Sequence, residues 1–217
     1  MSLKRWKPAL ALVAVGLLAA TILAGLDRLT RDRIALEQER RALAALTELL
    51  PAERFDNELV TDWFEHPVAG LERPVRIYRA RLEDRPSAAV LDLVTGRGYS
   101  GDIRLLVAIE PDWTIIGVRV FEHRETPGLG DRIEIRRSGW IRQFDGASLR
   151  QPVPEAWAPD RRGGQFDTLT NATITTGAIT DAVRVSLEAA ESLDEALWAA
   201  EPDTQALEIR PDLSQNP

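Results

Sequence analysis

The chain is 217 residues long, has no cysteine and only two histidines, and carries a formal charge of -7. Disulfide frameworks, thiolate metal centres and iron–sulfur clusters are therefore excluded, and two histidines are too few for a histidine-rich metal site. The acidic balance speaks against nucleic acid as a partner, because phosphate binding needs a basic face.

The first element in chain order is "PALALVAVGLLAATILAGL", Pro8 to Leu26, uncharged from end to end. At helical rise such a run spans the roughly 30 Å of a bilayer core, and it reads as one transmembrane helix. A cleaved signal peptide is the rival reading, but its apolar core is usually about 7 to 15 residues and ends at a small-x-small site, which this run does not clearly offer. Lys4, Arg5 and Lys7 precede it, whereas Arg28, Arg31, Arg33, Arg40 and Arg41 follow it; flanking charge leaves its orientation open. Gly16, Ala20 and Ala24, four apart, form a small-residue stripe suited to close helix approach.

From Asp27 to Leu50 the spacing of Ile34, Leu36, Leu43, Leu46 and Leu50 predicts a stalk helix, stopped by Pro51. Four β-branched or alternating runs follow at 75–82, 88–94, 102–109 and 113–121, separated by Pro, Gly and Asp, and predict a largely antiparallel sheet. "SGWIRQFDG", 138–146, predicts a short helix capped by Ser138 and closed by Gly146. Ile179, Val183, Leu187, Ala190, Leu193 and Leu197 then mark a last amphipathic helix. The expected organisation is a cytoplasmic N-terminus and membrane helix over 1–26, a stalk over 27–50, an α+β domain over 51–200 and a polar tail over 201–217.

Two stretches carry candidate chemistry. "ETPGLGD", Glu125 to Asp131, is a fixed turn whose glycines let backbone approach a ligand, although by spacing alone a plain hairpin loop is the simpler reading. "TLTNATITTGAITDAVR", 168–184, places six threonines at the start of a helix, where backbone N–H groups and a positive helix end suit a phosphate, although from the physics alone ordinary N-capping by threonine is the simpler reading. His66 and His123 read as surface or loop residues. No G-x-S-x-G elbow supports a serine hydrolase through His123, and no G-x-G-x-x-G supports a nicotinamide site. The acidic pairs Glu83/Asp84 and Glu110/Asp112 read as solvated turn charges.

"GYSGDIRLLVAIEPDWTIIGVRVFEHRETPGLGDRIE" followed by "FDTLTNATITTGAITDAV" resembles the G subunit of Rnf-type electron-transport complexes, ion-translocating ferredoxin:NAD oxidoreductases, and the related C subunit of the sodium-pumping NADH:quinone oxidoreductase. The resemblance is strong over about residues 98–190. It implies an antiparallel-sheet FMN-binding domain with packed helices, in which FMN is joined through its phosphate to a threonine hydroxyl. The family pattern runs Asp, two variable residues, Ser or Thr, Gly, Ala, Thr; here Asp167 leads to Thr170, Asn171, Ala172 and Thr173. The competing register, Thr176-Gly177-Ala178-Ile179, lacks a hydroxyl at its last position, so Thr173 is the implied anchor. Asn171 stands where the family usually has glycine; asparagine tolerates positive φ better than most non-glycine residues, and a turn that failed here would favour a flavin-free module.

By the same resemblance Asp167 and Thr170 shape that turn for the attaching enzyme, and Glu125, Thr126, Gly128 and Leu129 lie against the isoalloxazine ring. The implied protein passes electrons through FMN without a catalytic acid or base of its own. Its implied partners are the other membrane and peripheral subunits of the complex and, for maturation, a magnesium-dependent flavin transferase drawing FMN from FAD. The family places the domain on the periplasmic side of the inner membrane. Two rivals stand beside this reading: the equivalent subunit of the quinone-reducing pump, and a flavin-free, membrane-tethered binding or structural module.

Overall fold

The computed structural model describes residues 44–199 and, upstream, residues 12, 13, 15–21 and 25. Those upstream residues are helical, and Leu12, Val13, Val15, Leu17 and Leu18 all expose their side chains. Among the described residues no helix is long and apolar enough to cross a membrane. The membrane helix expected at 8–26 and the stalk at 27–50 are described only in part, and the tail at 201–217 lies outside the described residues.

The domain is built on five antiparallel strands in sequential order: β1 (Trp63–His66), β2 (Val75–Leu82), β3 (Arg85–Gly98), β4 (Gly101–Ile109) and β5 (Ile115–Glu122). Strand alternation sorts the side chains onto two faces. The register sets Ile77 beside Leu91, Leu91 beside Val107 and Val107 beside Val118, all on the first face. Tyr78, Val90 and Ala108 pair in the same way on the second.

Helix α2 (Thr173–Leu193) covers the first face with Ile179, Ala182, Val183, Leu187 and Ala190, every one of them buried. The short helix α3 (Glu195–Ala199) follows it and buries Leu197 in the same core. An aromatic group closes this core: Phe144 packs on Phe166 at 4.8 Å between ring centroids and on Trp157 at 6.4 Å. The second face is covered in part by helix α1, whose described portion spans 44–49; Leu46, Leu49 and Leu50 pack there with Leu59, Trp63 and Tyr78.

Beyond that apolar patch the second face turns polar. Arg76 pairs with Glu65 at 2.9 Å, Arg73 with Asp102 at 2.9 Å, and Arg104 grips Asp92 with two bonds of 2.8 and 2.6 Å. They line an open groove of about 770 Å³. No residue of the ETPGLGD loop lines it; Ser100, His123 and Arg124 are the lining residues that border that loop or the adjoining hairpin tip.

Tyr78 lies buried beside these pairs. Burial pushes its phenol above the ordinary value, the Asp92 carboxylate adds to that push, and Arg76 opposes it. The unfolded chain therefore gives up this proton at lower pH than the folded one. The stability it contributes is whole below about pH 10 and is lost as pH rises through the folded value. Denaturation midpoints measured from pH 8 to 11.5 should fall more gently in Tyr78→Phe than in the parent, and equal slopes would refute the assignment.

Three elements differ from the sequence-based expectation. Strand β1 is not anticipated, because four residues show too little alternation to stand out from a loop. Strand β3 reaches Arg85 and Gly98, well past 88–94, because pairing with β2 and β4 carries its polar ends. The helix expected at 138–146 is a 3-10 turn, Trp140–Phe144: the Ser138 hydroxyl does accept the Trp140 N–H at 3.2 Å, but Phe144 is drawn into the aromatic group before an α-helix can extend.

Candidate functional site

Three segments meet at one end of the sheet: the tip of the β3–β4 hairpin, the ETPGLGD loop after β5, and the start of α2. Their meeting point is Glu125. It is buried, and its Oε2 accepts the Thr175 hydroxyl at 2.7 Å while its Oε1 accepts the Ser100 N–H at 3.0 Å. The Glu125 N–H donates to His123 Nδ1 at 3.0 Å, so the His123 proton resides on Nε2 and points to Glu134 Oε1, 3.0 Å away.

The loop itself is a tight turn on the Thr126 carbonyl, which accepts the N–H groups of Leu129 at 3.2 Å and Gly130 at 3.0 Å. Gly128, in the left-handed region at φ +79°, donates to the buried Asp131 carboxylate at 2.9 Å. Thr126, Gly128 and Leu129 are exposed on the loop surface, whereas Glu125 lies beneath it.

The turn before α2 is equally defined. The Asp167 backbone is clamped by the Trp140 indole N–H to its carbonyl at 2.6 Å and by its own N–H to Gln143 Oε1 at 2.6 Å, leaving the carboxylate in solvent. Leu169 and Ala172 are buried, and the Ala172 N–H closes a four-residue turn on the Leu169 carbonyl at 3.0 Å. Asn171, third in that turn, has φ +67°. A positive φ at this position selects glycine or asparagine, and the asparagine adopts it. Asn171→Val should cost about 1–2 kcal/mol by forcing a β-branched residue into the left-handed region, and Asn171→Gly should fold as well as the parent. Chemical denaturation of the two variants checks this; equal stability would refute it.

Burial then separates the six threonines. Thr175, Thr176 and Thr180 are buried: Thr175 is spent on Glu125, Thr176 bonds back to the Ala172 carbonyl at 3.1 Å, and Thr180 to the Thr176 carbonyl at 2.9 Å. Such back-bonding satisfies hydroxyls on the buried face of a helix. The Thr168 hydroxyl donates to Asp160, which holds that carboxyl below the usual carboxylate range. Thr170 and Thr173 are exposed.

Thr173 is also the first residue of α2, and no side chain caps that helix end. An exposed hydroxyl thus stands on the first residue of a 21-residue helix, at its positive end, where no side chain caps the first-turn N–H groups. This arrangement fits a phosphate carried on Thr173 Oγ. Leu129, Ile174 and the hairpin-tip residue Tyr99, each next in sequence to a residue packed on or bonded to Glu125, expose apolar surface at the same end of the domain. Among the described residues no cluster of His, Asp and Glu could hold a metal ion.

Sequence reasoning singles out Thr173, Asn171, Ala172, Asp167, Thr170 and the loop residues, and the structure gathers both groups at this end of the domain. It misses Ser100, His123 and Thr175. The Gly98–Gly101 bracket around the hairpin tip is the one available signal for Ser100.

A family model described as an FMN-binding domain matches residues 98–188. The chain is similar to the G subunit of the ion-translocating oxidoreductase complex of Pseudomonas aeruginosa strain UCBPP-PA14, with 41% identity over 194 residues that cover 88% of each chain. The protein of the same name from Escherichia coli O157:H7 is 40% identical over 189 residues, covering 87% of this chain and 91% of its own. That of Pseudoalteromonas atlantica is 38% identical over 193 residues, covering 88% and 87%.

Proposed function

The chain belongs to the family of G subunits of ion-translocating oxidoreductase complexes, and from that premise we propose that it is a membrane-anchored flavoprotein subunit that carries FMN as a phosphoester on Thr173. The observation that carries the site is the exposed Thr173 hydroxyl at the uncapped start of α2. When bound, the flavin supplies reversible electron transfer between neighbouring carriers of the complex.

The chain's own residues bind and orient. Thr173 Oγ would be the covalent anchor, holding the flavin through its phosphate in place of the hydroxyl proton. The first-turn N–H groups of α2 offset the charge remaining on the phosphodiester. Asn171 holds the turn, Asp167 and Thr170 present it to the attaching enzyme, and Thr126, Gly128 and Leu129 border the ring. Leu129, Ile174 and Tyr99, all exposed at this end of the domain, would offer apolar cover to the ring.

The apolar run at 8–26 supplies the anchor, since a helix that is apolar all round is stable only in lipid or in a protein core. The domain's place on the periplasmic side follows the family, and there a covalent bond prevents loss of a cofactor that could not be replaced from the cytoplasm. The relatives' name favours the Rnf-type complex over the quinone-reducing pump. Peptide mass spectrometry of protein taken from its native membrane under denaturing conditions tests the assignment. The peptide containing Thr173 should carry one FMN phosphoester; unmodified peptide with the transferase present would refute the covalent assignment, leaving a domain that binds FMN reversibly or the flavin-free module.

A further inference from the structure

We propose that Glu125 is a positioning residue of the FMN site, a buried carboxylate that fixes the rotation of α2 and thereby the direction of Thr173. The inference rests on the assignment of Thr173 as anchor. Burying a carboxylate is costly unless each oxygen finds a donor, and here each does, one from Thr175 and one from Ser100.

The surroundings are shaped for that carboxylate. A Cβ added at Gly98 would sit 2.8 Å from Glu125 Oε1 and 2.3 Å from the Gly101 carbonyl. One added at Gly130 would sit 2.8 Å from both Glu125 Cβ and Oε2. Two glycines from separate segments therefore leave room for this one side chain.

The geometric consequence lies in the helix. Successive helical residues are turned by about 100°, so Thr175, two positions after Thr173, faces inward when Thr173 faces outward. Anchoring Thr175 to Glu125 fixes that azimuth. With no side-chain cap at the helix start, the Thr175 bond is the side-chain tie from this first turn to the rest of the site, while the outward N–H groups stay open. The same carboxylate holds Ser100, so the hairpin tip and the helix start share one reference point.

The test uses the full chain expressed in membranes with its transferase, read two ways: FMN per polypeptide, and amide hydrogen exchange over residues 169–176 in flavin-free protein made by Thr173→Ala. Thr175→Val should load about tenfold less FMN, in keeping with the loss of a buried hydrogen bond to a charged group, and should speed exchange across the turn. Thr175→Ser should restore both. Glu125→Leu, which removes both acceptors, should lose loading and speed exchange at least as much as Thr175→Val, and normal loading in it would overturn the proposal. Leu50→Ala, in the opposite apolar cluster, controls for general destabilisation and should load normally. Normal loading with unchanged exchange in Thr175→Val would overturn the proposal, as would equal loss in Leu50→Ala. Absence of flavin from the parent would instead refute the Thr173 assignment, and the exchange result would still decide whether Glu125 holds the helix.

Discussion

Thr173→Ala should give a folded protein with no covalent flavin, whereas Thr173→Ser should remain flavinylated. The hydroxyl is exposed and the helix has no side-chain cap to lose, so the alanine variant should unfold within about 0.5 kcal/mol of the parent. Covalent FMN, read by in-gel fluorescence under denaturing conditions, should nevertheless fall to background, since without the oxygen there is no phosphoester to form. Thr176→Val serves as the comparison, because it alters the competing register at a residue with no exposed surface. That variant should lose some stability and keep its flavin. Fluorescence persisting in Thr173→Ala would move the attachment to Thr170, the other exposed threonine of the segment.

Asp62→Ala should be costly although it lies away from the flavin site, at about 3–5 kcal/mol, because it removes the carboxylate from an ion pair whose guanidinium is buried. Arg79 is only 1% exposed and donates through Nε to Asp62 Oδ1 at 2.7 Å. Arg81 donates to the other oxygen at 3.0 Å, and Asn57 lies 3.4 Å from it. Both arginines also reach the Trp198 carbonyl, at 2.8 Å from Arg81 and 3.4 Å from Arg79, so the cluster ties strand β2 to α3 at the end of the described chain. The Trp198 carbonyl cannot replace the lost charge. Urea denaturation followed by tryptophan fluorescence measures the effect, and a loss under 1 kcal/mol would show that solvent reaches Arg79 in a way its burial denies.

The sheet is legible where alternation is strong. Val75, Ile77, Leu91, Leu93, Leu105 and Val107 announce their face, and the structure buries all six. Strand β1 is not legible: its Trp63 becomes a strand residue only by pairing with Tyr78, and Phe64 by pairing with Ile77, partners that no local pattern reveals. The turn around Asn171 can be anticipated, because the conformational tolerance of asparagine is a local property. The bond from Thr175 to Glu125 cannot, because the two residues stand 50 positions apart and a threonine among threonines carries no mark of its partner. The 3-10 turn at Trp140–Phe144 escapes for a related reason: the capping signal is local, but the pull on Phe144 comes from Phe166 and Trp157.

The packing of Leu46, Leu49 and Leu50 against Trp63, Tyr78 and Val90 bears on how the molecule can be cut. Pro51 looks from the sequence like the natural place to sever a tether from its cargo. Severing there would remove three leucines from the second sheet face and leave a contiguous oily surface in water, the kind that drives self-association. The smallest piece able to stay dispersed without detergent must therefore start upstream of Leu46, and a protease acting at Pro51 would release a species prone to precipitate.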